Sequence, residues 1–457
     1  MTTPPLKARD RDAILQSLRA GVVPSRGHQH IQVGRAAEVH AVMGDIDRIA
    51  QGGSAIRFVV GEYGSGKTFF LSLVRAIALE RKLVVANADL SPQRRLHGTG
   101  GQARSLYAEL MRNLSTRATP DGGATPNVVE RFVTTAMSDA SERGVPVKAV
   151  IAERLEQLTE LVGGYDFATV IGAYWDGHDR DDPELQSAAV RWLRGEYATR
   201  TDARLALGVR TIVEDRTVYD HLKLMARFVR LAGFGGLYVV VDELVNLYKI
   251  SNTVSRNANY EEILRILNDA LQGNVEGLGF AFGATPETLM DPRRGLYSYP
   301  ALQSRLAENT FATGALVDYT GPVLRLANLT QEDFYVLLGK LRHVYANGDE
   351  SGYLIGDDGI TSFMQHCSGR IGDAYFRTPR TTIKEFINLL AVLDQNRDAN
   401  WTDLLGRVDL AVEANPDLEP IPDTDPPVDG APTASGPASA DGTAPGDDDD
   451  DLASFRL

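Results

Sequence analysis

An α/β fold, with a parallel sheet covered by helices, is expected from three observations. A glycine-rich loop, Gly61-Glu62-Tyr63-Gly64-Ser65-Gly66-Lys67-Thr68, lies between an apolar run and a helical pattern. Further apolar runs at 83–88, 237–241 and 278–282 alternate with helical stretches. These runs are apolar along nearly their whole length, as strands buried on both faces require.

Residues 1 to about 50 read as helices around a short loop. Ile56-Arg57-Phe58-Val59-Val60 then forms the first strand, and residues 69–78 form a helix packed on the sheet. The loop between them has the form G-x-x-x-x-G-K-[ST], in the strand–loop–helix context that the phosphate-binding P-loop needs. Glycines let successive backbone N–H groups turn inward around a phosphate chain. The helix that follows points its positive dipole end at the same oxygens. Lys67 reaches the β- and γ-phosphates, and Thr68 places its hydroxyl on Mg²⁺. Gly61, Tyr63, Gly64, Ser65, Gly66, Lys67, Thr68 and Phe69 are therefore the expected ATP-binding residues.

A long, mostly helical region, 102–235, precedes the strand Leu237-Tyr238-Val239-Val240-Val241-Asp242-Glu243. An apolar run ending in two acids is a Walker B pattern. Its strand delivers Asp242 to the C-terminal edge of the sheet, where ligands bind in open α/β folds. There Asp242 can hold Mg²⁺, and Glu243 can orient or activate the attacking water. The next strand runs into Gly283-Ala284-Thr285-Pro286-Glu287. Thr285 is a candidate to touch the γ-phosphate or the water ("sensor 1"), and equally a helix N-cap before Pro286. Both roles can hold together.

From Asn328-Leu329-Thr330-Gln331-Glu332 a helix starts in a capping-box-like manner, with further helices near 360–365 and 382–393. Residues 328–414 read as a small helical lid. Arg377-Thr378-Pro379-Arg380 opens one of its helices. Arg380, with Arg377 in reserve, is either a guanidinium reaching back to the nucleotide ("sensor 2") or a solvated arginine at a proline N1 start. Arg305 is either an arginine finger for a neighbouring subunit or a surface ion-pair member.

Composition bounds the rest. With 457 residues, 43% hydrophobic and 24% charged, the chain has room for two or three packed domains. No apolar run is long enough to span a bilayer, and no signal peptide pattern opens the chain, so a cytoplasmic location is the default expectation. The one cysteine, Cys367, excludes an intramolecular disulfide or a cysteine-based zinc cluster and reads as a small core residue. The eight histidines show no metal-binding spacing, and His28 and His30 read as a solvated loop. The net charge of −14 is concentrated at the C-terminus: from Pro416 on there are eleven acids against Arg456, so the tail carries −10 and the rest about −4. That nearly balanced remainder neither demands nor forbids a nucleic-acid partner. The tail, rich in Pro, Asp, Ala, Gly and Ser, reads as disordered. Its run Asp447–Asp451 before Leu452-Ala453-Ser454-Phe455-Arg456-Leu457 serves either to recruit a partner or only to solubilise.

Two resemblances add to this reading. Ile31-Gln32-Val33-Gly34-Arg35-Ala36-Ala37-Glu38 resembles the V-G-R-x-x-E motif of AAA+ ATPases of the initiator and STAND types, which would place Gly34 and Arg35 beside adenine. That motif, the P-loop with Phe69-Phe70-Leu71, Asp89-Leu90-Ser91-Pro92, Arg95-Leu96-His97-Gly98, Trp192-Leu193-Arg194-Gly195-Glu196, Leu207-Gly208-Val209 and Gly235-Gly236-Leu237 together resemble the BrxD-like P-loop ATP-binding proteins of BREX-type phage-exclusion operons, over about residues 8–400. The resemblance implies an AAA+-like ATPase in antiphage defence. It implies nucleotide-dependent homo-oligomers, a helicase or other defence proteins as partners, and room for DNA contact. The implied organisation is an N-terminal segment with the P-loop half of the core (1–101), a helical insertion (102–235), the Walker B and sensor half (236–327), the lid (328–414) and the tail (415–457). No winged-helix pattern follows the lid, which argues against sequence-specific DNA binding. A non-hydrolysing adaptor and a sensor that assembles on a phage trigger are the competing readings.

Overall fold

A computed structural model describes residues 6–312, 316–371 and 379–406. The acidic tail, and with it the expectation of disorder there, lies outside the described residues, as do the last residues of the expected lid. Five strands, β1 (Ser54–Val60), β2 (Val84–Asp89), β3 (Leu237–Asp242), β4 (Leu278–Ala284) and β5 (Val323–Arg325), form one sheet in the order β2-β3-β4-β1-β5. Every neighbouring pair is parallel. This is the expected α/β class, since parallel neighbours need helical crossovers on the sheet faces. The first four strands fall where the apolar runs lie. β5 was not anticipated: it has three residues, follows Pro322, and is a strand only because it pairs with Phe58, Val59 and Val60.

The position of β4 matters most for function. It separates the P-loop strand β1 from the acid strand β3, with Val60 opposite Ala284 and Val241 opposite Phe282. The C-terminal ends of all three strands therefore meet at one edge.

Alternate residues of each strand enter different cores, as the two-residue pleat dictates. Ile56, Phe58 and Val60 pack with helices of the 102–235 region, among them Phe132, Phe167 and Phe228. Ala55 and Val59 face the other way, against the helices Ala36–Ala50 and Lys67–Glu80. A third cluster joins the helices Gln331–Tyr345, Asp357–Ile371 and Pro379–Gln395, through Phe334, Phe363 and Phe386. Thr330 and Asp333 cap the first of these reciprocally, at the expected start. The N-terminal helix Ala8–Arg19 belongs to this cluster through Ile14, and Arg11 donates to the Tyr345 carbonyl. Cys367 is buried in the same cluster, and burial pushes its thiol up to about 12. No helix among the described residues is long and apolar enough to cross a membrane.

One charge interrupts this apolar pattern. Arg57, in the middle of β1, shares a face with Ala55 and Val59 and is 5% exposed. Its Nε and Nη2 donate to Asp45 of helix Ala36–Ala50 at 2.5 and 3.1 Å, and Asp45 is 2% exposed. Its Nη1 donates to the carbonyls of Tyr319 and Gly321, just before β5. Buried ions are tolerated only when paired and fully hydrogen-bonded. Removing Asp45 strands the guanidinium, so Asp45→Ala is expected to lose about 3–5 kcal/mol in urea unfolding. Arg57→Met with Asp45→Leu should recover most of that loss. An Asp45→Ala protein as stable as wild type would show that water reaches the pair.

Candidate functional site

The C-terminal edge of β1, β3 and β4 opens into a cavity lined by the 61–68 loop, by Asp242 to Val245, by Gly283 to Thr285 and by Pro379, Arg380 and Ile383 of the helix Pro379–Gln395. Gly64 and Gly66 take positive φ of 76° and 88°, the left-handed turn that glycine alone adopts at little cost, and Gly66 leads directly into the helix at Lys67. The Gly61 N–H donates to the Ala284 carbonyl at 3.2 Å, fixing the loop to β4. Lys67 folds back, its Nζ donating to the carbonyls of Gly61 and Glu62 at 2.9 and 3.0 Å. Ser65 is buried and its Oγ has no partner among the described residues. An orphaned hydroxyl inside a glycine loop at a helix start suits a phosphate oxygen.

Across the cavity, the Thr68 hydroxyl donates to Asp242 Oδ2 at 2.9 Å, and the Glu243 N–H donates to Oδ1 at 2.8 Å. Room for this carboxylate depends on Gly283, where a Cβ would fall 2.0 Å from Asp242 Oδ1. A hydroxyl and a carboxylate at this separation are hard oxygen donors that fit Mg²⁺. Glu243 stands exposed beside them at a φ of 61°. Five non-glycine residues among those described take positive φ, and two of them, Arg35 and Glu243, line this cavity. Backbone strain of this kind concentrates where geometry serves function. Asp89, at the end of β2, lies in register with Asp242. Partial desolvation at the strand end and the Asp242 charge raise its pKa, opposed by Arg94 and Arg75, though the side chain keeps solvent contact. Its place beside the site was missed; an acid closing the second apolar run was the available signal.

Thr285 is buried and caps the helix Pro286–Met290, its side chain accepting from the Thr288 N–H. It also lines the cavity, between the P-loop and Asp242. Arg35 reaches the P-loop, Nη2 donating to the Ser65 carbonyl at 2.7 Å, while its Nη1 is buried without a partner among the described residues. Gly34 precedes it, with φ of 58°. Arg380 donates to the Tyr63 hydroxyl at 3.3 Å, its guanidinium 5.8 Å from the ring centroid. Helix Pro379–Gln395 thereby touches the 61–68 loop through Arg380. Arg377 lies outside the described residues. Arg305 does not line the cavity: exposed, it bonds Asn268 Oδ1 and the Ala301 carbonyl.

The reading of His28 as solvated needs correction. It opens the short helix His28–Ile31, is 4% exposed, and sets its ring 5.4 Å from that of Phe69. Leu18, Val22, Ile31, Val33, Phe69 and Leu337 give the cavity an apolar part of its lining. Burial, reinforced by the Arg75 charge, lowers the His28 pKa to about 4. The unfolded chain takes up this proton near pH 6.5, and the folded chain only near pH 4. The fold thus keeps full stability above pH 6.5 and loses it as pH falls from there through 4. His28→Phe should remove a loss of about 3 kcal/mol at the acid end of that window, read as the difference between the two proteins' urea midpoints from pH 7.5 to 4.5. Parallel pH profiles would show that His28 titrates normally.

A comparison with curated proteins finds no match to this chain. A sequence model of the family described as "BREX system ATP-binding protein BrxC/D" matches residues 6–409. That span contains every part of the cavity, from the N-terminal helix through the 61–68 loop and the acid strand to the helix Pro379–Gln395. The chain belongs to the BrxC/D family of BREX system ATP-binding proteins.

Proposed function

We propose that this chain is a Mg²⁺-dependent ATPase of AAA+-like type that drives conformational change or assembly in a DNA-processing defence complex. The observation that carries the proposal is the hydrogen bond between Thr68 and Asp242, with Glu243 next in the chain and open to solvent. ATP is bound by the 61–68 loop, with its base toward the apolar lining beside Phe69, Gly34 and Arg35. Thr68 and Asp242 hold Mg²⁺, which when bound neutralises phosphate charge. Lys67 leaves its two carbonyls for phosphate oxygens, and Glu243 orients water for in-line attack. Thr285 senses the γ-phosphate from the end of β4. The placement of β4 between β1 and β3 supports the AAA+-like reading, as does the contact of Arg380 with the P-loop residue Tyr63.

Family membership implies other components of the BREX system as partners. A helicase among them, a homo-oligomer, and Arg305 acting on a neighbour's nucleotide belong to the proposal. So do the five-part organisation inferred from sequence and a cytoplasmic site of action.

The test is phosphate release by purified protein, with and without single- and double-stranded DNA. Lys67→Ala is expected to abolish turnover. Glu243→Gln should lower it by about 10²–10⁴-fold while ATP stays bound. Chelation of Mg²⁺ should stop release. Wild-type turnover in Glu243→Gln would overturn the catalytic assignment, and a wild type that binds ATP without ever releasing phosphate would be an adaptor.

A further inference from the structure

The polar side chains that line the cavity serve different parts of it. Most belong to the 61–68 loop or to the strand ends at Asp242, Glu243 and Thr285. Arg35 is bonded to the loop at the Ser65 carbonyl, and Arg380 is bonded to it at Tyr63. Gln32 stands apart from these. It lines the cavity with its chain neighbours Ile31 and Val33, both part of the apolar lining. It is half-buried, and its carboxamide makes no hydrogen bond to any described residue. A carboxamide presents two donors and an acceptor, and losing water from them without a partner is costly.

The backbone of Gln32, in contrast, is held on both sides. Its N–H donates to the His28 carbonyl at 2.9 Å, closing the short helix His28–Ile31. Its carbonyl accepts from Nζ of Lys340, a half-buried residue of helix Gln331–Tyr345. Two residues on, Gly34 approaches the same helix so closely that a Cβ would fall 3.0 Å from Asp333 Oδ1. Asp333 and Lys340 lie about two turns apart along that helix. The 32–34 segment is thus pinned along a helix, with a fixed main chain and an uncommitted amide. Such preorganisation lowers the ordering cost of a contact with a ligand.

We infer that Gln32 is the base-reading residue of this site. Its carboxamide oxygen accepts from the 6-amino group of adenine, and its amide nitrogen donates to the ring nitrogen beside that group. A glutamine amide matches adenine in this two-bond manner because each carries one donor next to one acceptor. A neutral two-sided group suits a base, whereas the charged groups elsewhere in the cavity suit phosphates and a metal ion. The inference rests on ATP occupying this cavity, as proposed above, but not on its hydrolysis.

Isothermal titration calorimetry of the full chain with ATP and with purine riboside triphosphate, which lacks only the 6-amino group, tests this. Wild type is expected to bind ATP at least about fivefold more tightly than the analogue. Gln32→Leu and Gln32→Met should bind the two nucleotides alike, at an affinity within about twofold of that of wild type for the analogue. That retained affinity reports that the fold and the phosphate loop are intact. An ATP preference that survives in both variants, or a loss shared equally by ATP and the analogue, would overturn the assignment. Lys67→Ala separates this result from the reading on which it rests. Weakened binding of both nucleotides to Lys67→Ala would support ATP in this cavity whatever the outcome at Gln32, and unchanged binding would remove ATP from the cavity altogether.

Discussion

The carboxylate of Asp242 accepts a hydrogen bond on each oxygen, from the Thr68 hydroxyl and from the Glu243 N–H. Through these two bonds it connects the helix after the phosphate loop to the turn after β3. These two strands are not neighbours, so the link crosses over β4, and β4 permits it by presenting Gly283 where any Cβ would collide with the carboxylate. The site is thus a property of three strand ends at once. A shift of any one by a single residue would place a side chain of the wrong parity at the edge.

The Arg57–Asp45 pair secures the other side of the same assembly. It ties β1 to the helix that begins just after Arg35, and to the turn that delivers β5. Arg35 sits at the start of that helix in a left-handed conformation and grips the P-loop at Ser65. A buried ion pair is weak evidence of stability in itself. Its role here is geometric: it leaves the helix one position along β1, so the distance from Arg35 to the phosphate loop is set by a bond made inside the core.

The parts of this architecture that depend on local pattern were legible in the sequence. β1 to β4 are predominantly apolar strands of six or seven residues, and the P-loop and the acid pair are written consecutively. The parts that depend on distant packing were not. β5 has three residues and no periodicity to detect. His28 lies in a polar run, Gly27-His28-Gln29-His30, that reads as a loop until Phe69 closes over it. Arg57 looks like an interruption in a strand because its partner lies in another helix. Asp89 gains meaning only from the register that sets it beside Asp242. In each case the missing information was a contact partner.

The third hydrophobic cluster has a consequence for synthesis. It unites Ile14 with Phe386, so its first contributor leaves the ribosome about 370 residues before one of its last. At roughly 5–20 residues per second that interval is on the order of 20–75 s. Until helix Gln331–Tyr345 is made, helix Ala8–Arg19 lacks the long helices of its cluster, while the sheet, whose last strand ends at Arg325, can already assemble. The nascent chain therefore passes through a stage in which the sheet and the 61–68 loop can form while the N-terminal helix still lacks the C-terminal helices it packs against.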